Sequence, residues 1–326
     1  RNPSAGRLDL TSAAQSMIGV LLVIYGLKRI AQDGIAQGPL VSILAGLAVV
    51  GIFFRRQRTL RDPLLDLWLF RDPAFSVALA TNVLDFFVGF GIFLFIAQYL
   101  QSGLGLSPMK AGLWTVPWAV GFIVGSMLTP MLVRRVRPAF VMAAGLLLAA
   151  VGFGILMRID TTSGLTVLVI GSTIVSLGLA PMTTLATDIM VGMVPPERAG
   201  AASSISETSS ELGGALGIAV LGSVGTAVYR GHLAASIPSG VPVDAARAAL
   251  STLGGAVAVA NGLPDPLGLE LLRSAREAFA QSFAVTAGIS AAIAVVTAIV
   301  AAVLLRQVSG ASAPEGQHAD EDASAE

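Results

Sequence analysis

Eight stretches of this chain, near 12–30, 38–54, 74–99, 110–132, 139–157, 164–190, 200–229 and 279–305, are apolar over roughly the length a helix needs to cross a bilayer. About 20 consecutive apolar residues span the hydrocarbon core. Inside that core the backbone must satisfy its own hydrogen bonds, so long apolar segments of this kind cross as helices. Only 12% of residues are charged and the mean hydropathy is +0.79, whereas about a quarter of an ordinary soluble domain is charged. The charges that remain gather in short clusters between the apolar stretches. The sequence therefore reads as an all-α polytopic membrane protein with about eight transmembrane helices.

The clusters alternate in composition as well as in position. One set of connections carries twelve Arg residues, including Arg55, Arg56, Arg58, Arg61, Arg134, Arg135 and Arg137, while the other short connections carry four basic residues, Lys28, Arg29, Lys110 and Arg158. The positive-inside rule puts the richer set in the cytoplasm. Both termini of the chain are then expected to be cytoplasmic, and the long connection 230–278 external. That connection holds the turn-rich pieces Ile237-Pro238-Ser239-Gly240 and Leu263-Pro264-Asp265-Pro266, with short helices expected near 243–259 and 267–277. It reads either as a solvated connector or as a lid or interfacial element. The small, polar and acidic tail 307–326 is expected to be disordered. The chain opens at Arg1 in what reads as the middle of a loop, so it is expected to be part of a longer protein.

Against this apolar background three carboxylates stand out. Asp85 lies in Thr81-Asn82-Val83-Leu84-Asp85-Phe86-Phe87, and Glu207 and Glu211 lie in Ser206-Glu207-Thr208-Ser209-Ser210-Glu211. All three fall well inside apolar spans, and no Lys or Arg lies mid-span to pair with them. A charge at that depth costs at least about 2.5–3.5 kcal/mol. Glu207 and Glu211 are four residues apart and share a helix face, which is expected to line a cavity or the protein interior. Burial favours the neutral form of a carboxylate, and a bound cation favours the charged form. Competition of that kind is the physical basis of cation:proton exchange. Three other readings stand beside it: permanently protonated interhelical hydrogen-bond donors, pairing with a basic group elsewhere in a longer protein, or a Glu207 nearer the interface than its span suggests. Asp188, near the end of the sixth span, reads as a helix-end or gate residue.

Other features qualify this picture. Pro117 and Pro130 fall in the fourth span and Pro181 in the sixth, where kinks often border a substrate path. Phe86, Phe87, Phe90, Trp114 and Trp118 offer aromatic surface to a cation, although lipid or core packing accounts for any one of them. Gly213, Gly214, Gly217, Gly222 and Gly225 allow the seventh span to approach another helix closely. The chain has no Cys and two His, His232 and His318, both outside the apolar spans, so thiolate and histidine metal sites are not expected. Zinc-protease, membrane serine-protease and phosphate-loop motifs are all absent, and no enzymatic activity, cofactor or nucleic-acid partner is expected.

The run Tyr99-Leu100-Gln101-Ser102-Gly103-Leu104-Gly105-Leu106-Ser107-Pro108-Met109-Lys110-Ala111-Gly112-Leu113, with Pro117 following, resembles a signature of major facilitator superfamily drug:proton antiporters of the fourteen-span branch. Val194-Pro195-Pro196-Glu197-Arg198-Ala199-Gly200, leading to the pair Glu207 and Glu211 and then Leu212-Gly213, is similar to the quaternary-ammonium and multidrug exporters of that branch. The resemblance covers residues 8–306. It implies that 12–72 holds two linker transmembrane helices with a cytoplasmic loop, after a cytoplasmic loop at 1–11. Residues 73–306 then form the C-terminal six-helix half. Asp85, Glu207 and Glu211 would be its substrate-cation and proton sites. Arg134-Arg135-Val136-Arg137 resembles a degenerate copy of the superfamily's basic gating loop, without its acidic partner. The implied function is proton-coupled efflux of hydrophobic, cationic drugs from a multi-pass position in the plasma or inner membrane. Such transport needs an N-terminal six-helix half, since alternating access rocks two halves about a midplane site. A facilitator for another small solute and a non-transporting membrane fragment or subunit are the alternatives.

Overall fold

The computed structural model describes residues 9–33, 36–60, 69–160, 164–195 and 199–306. Ten α-helices occur among them: α1 (Leu10–Asp33), α2 (Gln37–Gln57), α3 (Pro73–Gln98), α4 (Pro108–Val133), α5 (Pro138–Leu156), α6 (Gly164–Gly192), α7 (Ala199–Ala234), α8 (Val243–Ser251), α9 (Leu253–Ala260) and α10 (Asp265–Leu304). All but α8 and α9 are long and apolar enough to cross a membrane, so the chain is a multi-pass helical membrane protein. The tail 307–326, residues 1–8 and the Pro196-Glu197-Arg198 stretch of the second signature lie outside the described residues.

Proline and small polar residues set the helix starts. Pro73, Pro108 and Pro138 each open a helix, where the missing N–H is one that no carbonyl would have received. Asp72 caps α3 by accepting from Ala74 N at 2.8 Å, and Ser107 caps α4 by accepting from Lys110 N at 3.4 Å. The turn between them explains the Tyr99–Leu113 signature. A π-helical turn over Tyr99–Gly103 ends α3, and Gly105 then takes φ +66°, a conformation a side chain would disfavour. Tyr99 Oη donates to the Asp160 carbonyl at 2.7 Å and ties this turn to the end of α5.

The connection before the last span differs from expectation. The helix expected near 267–277 is continuous with the last span, because nothing after Pro266 breaks the helix. At 40 residues α10 is ~60 Å long, about twice the hydrocarbon thickness. Its first turns, with Glu270, Arg273, Arg276 and Glu277, therefore project beyond the apolar segment. The helix expected near 243–259 is two helices. Thr252 adopts an extended backbone (φ −157°, ψ 158°), and its side chain accepts from Gly255 N, capping α9.

The helices pack around α6 and α10. α6 touches α3, α4, α5 and α7, and α10 touches α3, α5 and α7. Phe75, Ile92, Met142, Phe153, Met182 and Phe283 are fully buried among them. α4 buries only small residues, Ala111, Gly121, Gly125 and Thr129, against α6. Pro181 shows what this face is for. Its ring removes the donor for the Leu177 carbonyl. That carbonyl lies against Gly125, where a Cβ would sit 2.7 Å from it, while the proline ring lies against Gly145 on α5. Both α4 and α6 continue as helices through Pro117, Pro130 and Pro181.

α1 and α2 form a hairpin that leans on α7 through α1. Asp9 fastens its open end. It accepts from the Ser12 hydroxyl at 2.6 Å and from Arg56 Nε at 3.1 Å, while Gln57 Nε2 donates to the same Ser12 hydroxyl at 2.8 Å. The Ser12 hydroxyl and then the Arg56 guanidinium hold the Asp9 carboxyl down to about 2.

Candidate functional site

Asp85 lies midway along α3, ~18 Å from its first residue at 1.5 Å per residue. It is 3% exposed, in the seam where α3 meets α6 and α7. Thr183 on α6 donates its hydroxyl to Asp85 Oδ2 at 2.8 Å. Asp85 Oδ1 is buried and has no hydrogen-bond partner among the described residues. Buried polar atoms without a partner are uncommon and costly.

Asn82 sits one turn earlier on the same face and is fully buried. Its Nδ2 donates to Ser209 Oγ at 2.9 Å and Ser210 Oγ at 3.0 Å on α7. Both serine hydroxyls donate in turn to the Ser206 carbonyl, which leaves only their lone pairs for Asn82. The amide therefore turns its NH2 toward α7, and Asn82 Oδ1 is left without a partner. Thr187 on α6 and Ser206 on α7 share a hydrogen bond at 3.1 Å. The seam thus carries a carboxylate, an amide and five hydroxyls from three helices, with two acceptor oxygens open on the α3 side.

Small residues allow this seam to close. A Cβ on Gly213 would meet the Val83 carbonyl, and one on Gly217 would lie 2.8 Å from the Phe87 carbonyl carbon. α3 and α7 are therefore in backbone contact on either side of Asp85, in the manner of small-residue membrane interfaces.

Glu207 and Glu211 point away from the seam. Both are exposed, as are Ala215 and Ile218 further along the same side of α7. The helix period separates the two faces, with Ser206, Ser210, Gly213 and Gly217 toward α3 and the two glutamates opposite. The expected sharing of a face by Glu207 and Glu211 is present, but in this chain that face is open, and neither glutamate joins Asp85. Phe86 is half-buried and pairs with exposed Phe90 at a centroid distance of 5.9 Å. Trp118 meets Phe93 edge-on at 5.7 Å, and Trp114 is exposed. Asp188 is exposed near the end of α6. Asn82 was the residue missed from sequence; its position three residues before Asp85, facing a serine cluster at the spacing of a helix face, was the available signal. Among the described residues, no group of His, Asp and Glu side chains is arranged to hold a metal.

The model of the Major Facilitator Superfamily matches residues 10–218 and, in an overlapping alignment, 75–266. The multidrug efflux pump LfrA of Mycolicibacterium smegmatis is 34% identical over 279 residues, 86% of this chain and 55% of that protein. The multidrug resistance protein Stp of Mycobacterium tuberculosis is 31% identical over 74% of this chain and 45% of its own length. The methyl viologen resistance protein SmvA of Salmonella typhimurium is 31% identical over 84% of this chain and 55% of its own length. The chain spans about half the length of these curated relatives. Among solved structures, a bacterial homolog to the human lysosomal transporter Spinster, inward-facing and unoccupied, superposes with a TM-score of 0.56 at 20% identity, covering 92% of this chain and 67% of that one. A likeness at that identity speaks to the fold.

Proposed function

The chain belongs to the major facilitator superfamily, and from that premise we propose that it is the C-terminal portion of a proton-coupled exporter of hydrophobic, cationic drugs in the cell membrane. The observation that carries the reading is Asp85, a carboxylate buried mid-span with one oxygen held by Thr183 and the other unpartnered. A proton on Oδ1 makes the side chain neutral and turns an orphan acceptor into a donor. Its release leaves a charge that the Thr183 hydroxyl alone stabilises, so occupancy by the proton is coupled to what else stabilises the seam. Glu207 and Glu211, exposed on the other face of α7, supply negative charge to the space an N-terminal half would complete. Phe86, Phe90, Trp114 and Trp118 supply aromatic surface for an organic cation. The names of LfrA, Stp and SmvA support drug efflux for the complete protein.

In this reading 1–11 is a cytoplasmic loop, 12–72 the linker pair, 73–306 the transporter half, and both termini lie in the cytoplasm. Asp188 acts at the cytoplasmic gate. The test is efflux by the complete protein in liposomes. An imposed proton gradient should drive uptake of a cationic dye, and collapsing the gradient should stop it. Transport that ignores the gradient, or that prefers neutral or anionic competitors, would remove proton coupling or cationic selectivity respectively.

A further inference from the structure

Two buried acceptors lie one turn apart on α3. Asp85 Oδ1 and Asn82 Oδ1 are shielded from solvent and have no hydrogen-bond partner among the described residues. Side chains three residues apart are neighbours on a helix surface, and helical side chains lean toward the N-terminal turn, which carries Asp85 over Asn82. The other atom of each head group is committed to a different helix. Asp85 Oδ2 accepts from Thr183 on α6, and Asn82 Nδ2 donates to Ser209 and Ser210 on α7. The serines fix the direction of the amide, because their own protons go to the Ser206 carbonyl.

Among the described residues no charged group enters this part of the seam. On the helices packed against α3, the titratable residues are Asp188 on α6, then Glu207, Glu211, Tyr229, Arg230 and His232 on α7, and Asp265, Glu270, Arg273, Arg276 and Glu277 on α10. Asp188, Glu207 and Glu211 are exposed. Tyr229, Arg230 and His232 lie ~20 Å along α7 from Gly217, which touches Phe87. The α10 charges precede Phe279, which meets α3 at Phe95, well beyond Asp85. Arg71, Asp72 and Tyr99 stand at the two ends of α3, each ~20 Å from Asp85 along the axis.

A single proton satisfies both oxygens. We propose that the Asp85 proton sits on Oδ1 and is donated to Asn82 Oδ1, which makes Asn82 the residue that positions it. The inference rests on the reading of Asp85 as a proton site and adds its acceptor. It also gives the proton a connection to α7. When the proton leaves to water, two acceptor oxygens face each other. The amide can then turn its NH2 to the carboxylate only by giving up both bonds to α7. Loading and release at Asp85 are in this way transmitted to the α3–α7 seam.

The test is infrared difference spectroscopy of the complete protein in liposomes, between acid and neutral pH, with gradient-driven dye efflux measured on the same samples. The parent should show an acid carbonyl band that Asp85→Asn removes. The Asn82 amide carbonyl should give a second difference band that shifts on isotopic labelling of asparagine. In Asn82→Leu the amide band should vanish and the acid band should move to higher frequency, as for an acid without an acceptor. This variant strands no donor, since Ser209 and Ser210 keep their bonds to the Ser206 carbonyl. Should it fail to fold, Ser209→Ala combined with Ser210→Ala should move the acid band the same way, because nothing then holds the amide oxygen toward Asp85. An acid band that stays in place in the variants overturns the inference and leaves the exporter reading intact. Absence of any Asp85 acid band overturns both the inference and the proton role of Asp85. Bands that behave as expected, with efflux that ignores the gradient, support the inference and overturn the exporter reading.

Discussion

Asp85→Asn separates a structural carboxylate from a working one. An ionised side chain at this depth costs at least about 2.5–3.5 kcal/mol. The hydrogen bond from Thr183, at 2.8 Å to Oδ2, returns about 1.5–3 kcal/mol when its acceptor is charged. Oδ1 has no partner and returns nothing. The ionised form therefore comes out near balance or net unfavourable. Asparagine has the same shape, keeps an acceptor for Thr183 and carries no charge to bury. The substitution should leave folding within about 1 kcal/mol of the parent, since a neutral hydrogen bond of about 1 kcal/mol replaces a charged one whose gain was already spent on desolvation. Asparagine cannot take up or release a proton at working pH, so gradient-driven dye efflux should fall to that of empty liposomes. The two readouts are thermal unfolding of the purified complete protein and efflux under an imposed gradient. Parental efflux from Asp85→Asn, or a loss of more than about 2 kcal/mol in stability, would refute this account.

Three further outcomes follow from the geometry. Gly217→Val places side-chain atoms in the Phe87 backbone and should cost about 1–3 kcal/mol, while Gly222→Ala, whose Cβ would meet only Leu94 Cδ2 at 3.5 Å, should be nearly neutral; thermal unfolding of the two variants compares them. Glu211→Gln should lower efflux of cationic dyes with little change in folding, and unchanged efflux in liposomes would take Glu211 out of the mechanism. The Asp9 carboxyl is held at about 2 against an ordinary 3.8, so its contribution to the α1–α2 hairpin is complete above the ordinary value and is lost as pH falls through about 2. Spin labels at Leu10 and Thr59 should report the hairpin end loosening over that acid range, and Asp9→Ala should remove the pH dependence.

The helices were legible because the bilayer imposes a length and a composition, and both are local properties of sequence. The last span was misjudged at its start for the same reason. Charged Glu270, Arg273, Arg276 and Glu277 mark where α10 leaves the apolar layer, not where the helix begins, and hydropathy reports the layer. The division of 243–260 turned on one residue, Thr252, whose capping bond to Gly255 N competes with helix continuation. Asp85 was legible as an anomaly, but its partners were not. Thr183 is 98 residues away, and threonine is unremarkable in a span. Asn82 was overlooked because an amide costs less than a carboxylate in an apolar setting and so stood out less, although its two partners on α7 make it the more completely engaged of the pair.

The two faces of α7 differ in how far this chain completes them. One face is self-sufficient: Gly213 and Gly217 bring it onto α3, and Ser206, Ser209 and Ser210 close most of the polar seam around Asn82. The other carries Glu207 and Glu211, exposed among small and apolar neighbours. In hydrocarbon an exposed glutamate pair would cost several kcal/mol, and small-residue packing does not offset that, since it stabilises the opposite face. The glutamates therefore require water or a partner surface on that side. Asp85 differs in kind, because its surroundings are complete except at Oδ1. Under the proposed function, a ligand reaching the glutamates and a proton on Asp85 would lie on opposite sides of one helix that packs directly on α3. Movement of α7 against α3 alters the seam around Asp85 and the exposed face together. If α7 is the element that couples them, Gly217→Val should uncouple them where it still folds: dye should bind on the Glu211 face in an equilibrium assay, while gradient-driven efflux is lost. Retention of both binding and efflux in a variant whose α3–α7 contact has been forced apart would show that the coupling runs through another helix.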